Sequence, residues 1–120
     1  MEAIIDIEIQ GEPESDELYA YYEALHGFVA LIFTESQLRV PVRTGRLMGS
    51  GRVEGDEDWR LIIYDCPYAS VVELGRGMPG EKGYFPGRRY LDGAIEDNLD
   101  RFEIFLKLAL HESFDVEEGG

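Results

Sequence analysis

Few residues in this chain are of a type that could carry chemistry. They are two histidines (His26 and His111), one cysteine (Cys66), four serines besides Ser15, and the glycine-rich stretch "GRGMPGEKG" at 75–83. Each histidine falls within a predicted helix and has no His or Cys three or four residues away, so neither belongs to a metal-ligand pair. Cys66 can form no internal disulfide and reads as a buried strand residue. "GRGMPG" matches G-x-G-x-x-G, but a dinucleotide fingerprint needs a strand before it and a helix opening within it. Gly83 and Pro86 follow instead, and Lys82 stands too close behind Gly80 for a phosphate loop. Ser36, Ser50, Ser70 and Ser113 lack a nucleophile-elbow context. Carboxylates are so abundant, 25 in 120 residues, that their pairing carries no information. The expectation is a protein with no catalytic residues, no cofactor and no metal.

Composition and charge bound the alternatives. The length suits one domain over 1–120, and 44% hydrophobic with 12% aromatic residues predicts a folded core. No apolar run approaches the ~20 residues needed to span a bilayer, so no membrane partner is expected. The start, "MEAIIDIEIQ", is acidic and alternating, unlike a secretory leader. The net charge is −14, with nine arginines and only Lys82 and Lys107 as lysines. Residues 39–91 carry nine basic and seven acidic side chains, a net of +2. The flanks carry two basic and eighteen acidic ones, a net of −16. Such a chain repels nucleic acid overall. Excess acid with scarce lysine fits solubility in concentrated salt, where screening blunts self-repulsion. A surface that imitates DNA or keeps it from sticking is the other reading.

The elements that must hold these residues follow from periodicity. "AIIDIEIQ" alternates as a half-buried strand, with Ile5, Ile7 and Ile9 on one face and Asp6 and Glu8 on the other. Ser15 or Asp16 can cap a helix that carries Leu18, Tyr21, Tyr22, Leu25, Phe28, Val29 and Ile32 at steps of three and four. It should end near Leu38, because Val40 precedes Pro41. "SGRVEG" and "WRLIIYDC" predict a hairpin around "GDED". "YASVVELG" could be a strand or one or two helical turns stopped by Gly75. Residues 76–87, rich in Gly and Pro, predict a long irregular excursion. Leu91, Ile95, Leu99, Phe102, Leu106 and Leu110 predict a second helix of roughly 24 residues, and 115–120 a frayed tail. The fold class expected is α+β: a small antiparallel sheet packed against two long helices, with an extended loop at 76–87.

Three stretches occur in order: "VPVRTGRL" at 40–47, "YASVVELG" at 68–75 and "RRYLDGAIEDNL" at 88–99. Together they resemble the tail-completion, or head–tail joining, family of long-tailed bacteriophages and related archaeal tailed viruses, also described as minor capsid or neck proteins. That family shows a Pro-Val-x-Thr-Gly-x-Leu segment, matched here by Pro41, Val42, Thr44, Gly45 and Leu47. It then shows Tyr-Ala-x-x-Val-Glu-aromatic-Gly, matched by Tyr68, Ala69, Val72, Glu73 and Gly75. A Pro-Phe-Leu-x-x-Ala-like helix start follows, matched loosely by Tyr90, Leu91 and Ala94. Arg89 and Tyr90 replace the usual Pro-Phe, and Arg76 stands where Thr is usual. The resemblance covers about residues 14–112.

The resemblance implies a structural virion protein of the neck or tail end. It implies a ring, expected as a hexamer, stacked with a connector, a stopper and a tail terminator, with genome DNA passing unbound through the lumen. Location in the virion, with assembly in the host cytoplasm, follows. The salt reading of the charge adds a halophilic host. From the residues themselves, Pro41 stops a helix, Thr44 can cap a short turn, Gly45 allows a backbone geometry that a side chain hinders, and Leu47 points to the core. Arg43 and Arg46 are not needed for the turn, and guanidinium groups favour carboxylates on a neighbouring subunit. Glu73 is expected as an exposed acid or as an internal partner of Arg46 or Arg76. The candidate subunit interface is therefore Arg43, Arg46, Glu73, Arg76, Met78, Tyr84, Phe85, Arg88 and Arg89. The alternative function is an acidic, monomeric DNA mimic that inhibits a host DNA-binding protein.

Overall fold

A computed structural model describes residues 1–6, 14–41 and 45–118, with side chains placed through residue 110. Ile7, Glu8 and Ile9 of the expected first strand, Arg43 and Thr44 of the expected turn, the side chains of His111 and Ser113, and the end of the expected tail lie outside that description.

The chain is α+β. Strand β1 (Glu2–Asp6) precedes helix α1 (Ser15–Arg39), a short turn of helix α2 (Arg46–Gly49) and the hairpin β2 (Gly51–Gly55) with β3 (Trp59–Tyr64). The strands form an antiparallel sheet in the order β1-β3-β2. Ile63 of β3 faces Glu2 on one side and Arg52 on the other. β3 holds the centre because it is the most apolar strand: Ile62, Ile63 and Tyr64 are buried. The hairpin closes where Asp56 N–H donates to the Trp59 carbonyl at 3.0 Å. Gly55 sits there at φ 136°, with Trp59 O only 2.5 Å from where a Cβ would stand.

Helix α1 lies across this sheet. Its cap is Glu14, not Ser15 or Asp16, and no side chain caps its first turn. Those two residues already have helical geometry, which leaves their oxygens on the wrong side of the free N–H groups. The end falls where expected, with Val40 extended at ψ 130° ahead of Pro41. Leu25, Phe28, Val29 and Ile32 are buried, as the periodicity predicts. Nearer the start, Leu18, Tyr21 and Tyr22 are only half-buried, and Ala20 and Ala24 take the packed face instead. They meet Ala109 of a later helix, small residue against small residue. Gly27 lets Phe105 approach: a Cβ there would sit 3.0 Å from its ring.

The expected single second helix is three pieces. Helix α4 (Asp92–Asn98) passes through a 3-10 turn (Leu99–Arg101) into α5 (Phe102–Glu118). Buried Asn98 bends its amide back to the Ala94 carbonyl at 2.8 Å, competing with the helix's own hydrogen bonding. The tighter turn shifts the register, so Leu99, expected in the core, is 59% exposed. Phe102 and Phe105 still reach the core, edge-on to Phe28 with ring centroids 5.3 and 6.4 Å away. The described chain is elongated, 65 × 24 × 20 Å. Among the described residues no helix is long and apolar enough to cross a membrane.

Candidate functional site: the loop root and a tyrosine-lined cleft

The three stretches that carry the resemblance meet in one core. Leu47, Ala69, Tyr90, Leu91 and Ala94 are all buried in it, with Val72 packed alongside. "YASVVELG" is helical: α3 (Ala69–Leu74) stops at Gly75, which has φ 84°. A Cβ on Gly75 would stand 2.4 Å from Phe85 O, so a side chain is excluded by space as well as by conformation. Cys66 is buried, as expected, but lies just beyond β3 and not within it.

Glu73 overturns its expected role. It is neither exposed nor paired with Arg46 or Arg76; its side chain is fully buried. Its two carboxylate oxygens accept the backbone N–H groups of Leu91 at 2.8 Å and Asp92 at 2.7 Å. Its backbone carbonyl accepts Arg89 N–H at 3.0 Å, and the Val72 carbonyl accepts Arg88 N–H at 2.7 Å. The start of α4 is thus stitched to the end of α3. A helix start leaves N–H groups without partners, and a carboxylate is the strongest neutraliser of such groups. A side chain with no exposed surface cannot touch a neighbouring subunit, so Glu73 leaves the interface set.

Two tyrosines complete this buried polar layer. Tyr90 donates to the Ala69 carbonyl at 3.0 Å and packs edge-on to Tyr64 at 4.9 Å. The Tyr64 hydroxyl shares a 2.6 Å hydrogen bond with Ser36 and accepts Gln37 Nε2 at 2.9 Å. Burial is the first cause that pushes both phenols above their usual value, and the Glu73 charge adds to it. Among the described residues, no buried side-chain nitrogen or oxygen lacks a partner. The layer is closed, with its buried side-chain polar atoms all hydrogen-bonded.

The excursion at 76–87 is not wholly irregular. Strands β4 (Gly75–Arg76) and β5 (Phe85–Pro86) pair antiparallel and close its base. From that base the loop projects: Met78 is 64% and Tyr84 42% exposed, while Phe85 is half-buried. Arg76 donates Nε to Gly83 O at 3.3 Å and so braces the loop from within. Arg89, at φ 49°, pairs with Glu96 at 2.7 Å. Arg88 is exposed, and Arg46 lies with its Cζ 6.0 Å above the Tyr68 ring. Of the interface candidates, the structure therefore groups Arg76, Met78, Tyr84, Phe85, Arg88 and Arg89 at the loop and its root. Arg46 stands apart on α2. Gly45 precedes it at φ 72°, as the turn requires.

Sequence reasoning missed a second feature. An open cleft of about 550 Å³ is lined by Tyr19, Tyr22, Glu23, His26 and Glu57. His26 Nε2 donates to the Glu57 carbonyl at 3.0 Å, joining α1 to the hairpin turn. The hydrogen bond from Tyr19 to Glu23, together with the glutamate's charge, raises the Tyr19 phenol above its usual value. The signal was present in the spacing: residues 19, 22, 23 and 26 share one helix face. Glu57 comes from the turn of the hairpin, and no local pattern joins it to them. Among the described residues, no group of three or more His, Cys, Asp or Glu is placed to hold a metal.

Protein-family models, curated proteins and solved structures were all compared with the chain, and none matches it.

Proposed function

We propose that this chain is a structural virion protein of the head–tail neck or tail end, which assembles as a ring and lets genome DNA pass. The observation that supports the reading is the root of the 76–87 loop. The residues of the second and third motifs, Ala69, Glu73, Gly75, Tyr90 and Leu91, build a closed, hydrogen-bonded layer. What that layer achieves is mechanical: it fixes both ends of a projecting loop that carries exposed Met78 and Tyr84. A rigidly rooted arm with apolar tips is suited to a neighbouring subunit. Acids on the flanking helices suit a lumen, because like charge denies the passing DNA phosphate contacts.

The mimic reading draws less support. It rests on the net charge of −14 alone, and Glu54, Asp97 and Glu96 are held by Arg52, Arg39 and Arg89 at 2.8, 2.8 and 2.7 Å. Native mass spectrometry of the purified chain separates the two. A discrete closed oligomer is expected; a strict monomer that binds a nuclease with high affinity would establish the mimic instead.

A further inference from the structure

The cleft and the loop lie at opposite ends of the sheet's central strand. Glu57 stands just before β3, and the cleft residues of α1 are in its first half. At the far end of β3, Tyr64 packs on Tyr90, whose hydroxyl binds α3, and α3 leads into the loop. Six strand residues separate these ends, roughly 20 Å. The loop of one molecule therefore does not fill the cleft of the same molecule.

The two features are complementary in chemistry. Two phenol rings and two carboxylates around an open hollow suit an organic cation, and a planar guanidinium above all, because it stacks on aromatic faces while donating to carboxylates. The loop and its root offer Arg76, Lys82, Arg88 and Arg89. Arg89 is taken by Glu96, and Arg76 braces Gly83. Among the described residues, Arg88 has no carboxylate within salt-bridge distance, and its backbone is fixed by the Val72 carbonyl. Lys82, in the Gly-rich part of the loop, carries a compact ammonium and lacks the planar fork that suits the cleft.

We propose that the cleft of Tyr19, Tyr22, Glu23, His26 and Glu57 receives the Arg88 guanidinium of a second copy of this chain. The inference rests on the ring reading above and supplies its contact. Two different patches, set apart by about the length of β3, make the contact head-to-tail, the type that closes into a ring when its rotation allows.

Sedimentation velocity over a concentration series tests it with the full chain, wild type against Glu57→Arg, Arg88→Glu and the two combined. Both side chains are exposed, so circular dichroism should show an unchanged fold. Each single variant should weaken assembly about tenfold or more by placing like charges together, and the double variant should recover most of that loss. Assembly that neither single variant weakens overturns the cleft assignment and leaves the ring reading standing. Weakened singles with no recovery in the double variant overturn the direct pairing. A wild-type chain that stays monomeric at about millimolar concentration, where even weak contacts are populated, overturns the cleft assignment and the ring together.

Discussion

Glu73→Ala should be the most damaging conservative truncation in this chain. The substitution leaves the N–H groups of Leu91 and Asp92 without acceptors, in a site where Glu73 itself has no exposed surface. An unsatisfied buried donor costs about 1–3 kcal/mol, so the pair costs about 2–6 kcal/mol. One buried methylene, Cγ, disappears as well, adding about 0.8 kcal/mol. A domain of this size is stable by about 5–15 kcal/mol in all, so the loss removes a large part of the total. With about 3–6 °C per kcal/mol at this length, the melting temperature should fall by at least about 8 °C. Glu73→Gln keeps the shape and one acceptor but turns an NH₂ toward one of the N–H groups, so it should lie between wild type and Ala. Urea unfolding followed by circular dichroism gives the free energies. Hydrogen exchange at Leu91 and Asp92 locates the damage, because those two amides should lose protection first. If Glu73→Ala unfolds within about 0.5 kcal/mol of wild type, the range typical of surface substitutions, the carboxylate does not hold α4 to α3.

Other outcomes follow from the same structure. Tyr64 and Tyr90 have phenols raised above the usual value, so their neutral forms stabilise the fold fully below about pH 10. That stability should be lost as the pH climbs above 10 through the folded values, and denaturant midpoints at pH 8 and pH 11 should show it; Tyr64→Phe should flatten the dependence. Met78→Ala should leave monomer stability within about 0.5 kcal/mol, as at an exposed site, whereas half-buried Phe85→Ala should cost about 1–3 kcal/mol; urea melts compare them. Melting temperature should rise from low to molar salt, since the screening length falls from about 10 Å at ~0.1 M to about 3 Å at ~1 M and the net charge is −14. A flat salt response would remove the case for a halophilic origin.

Much of the fold was legible in the sequence, for local reasons. The first helix announces itself through Leu25, Phe28, Val29 and Ile32, and Pro41 marks its end, because both signals act within a few residues. The hairpin is equally local. What could not be read depends on partners far along the chain. The break in the second helix comes from Asn98 turning back on Ala94, a choice that its periodicity does not encode. The β4–β5 pair is two residues a side, too short for any pattern. Glu73 looks like any other of the 25 acids, and only its meeting with backbone N–H groups 18 and 19 residues later makes it a buried clamp. Of the candidate interface, the loop residues fall together because they are contiguous. The cleft escaped notice because Glu57 reaches it from another element.

The central claim is that the chain is a virion component arranged as a ring, and the composition of purified tailed particles tests it most directly. Quantitative mass spectrometry of such particles should find peptides of this chain at a fixed, small copy number consistent with one ring per particle, and in constant ratio to the connector. Particles that carry a complete neck and tail but none of these peptides would contradict the claim.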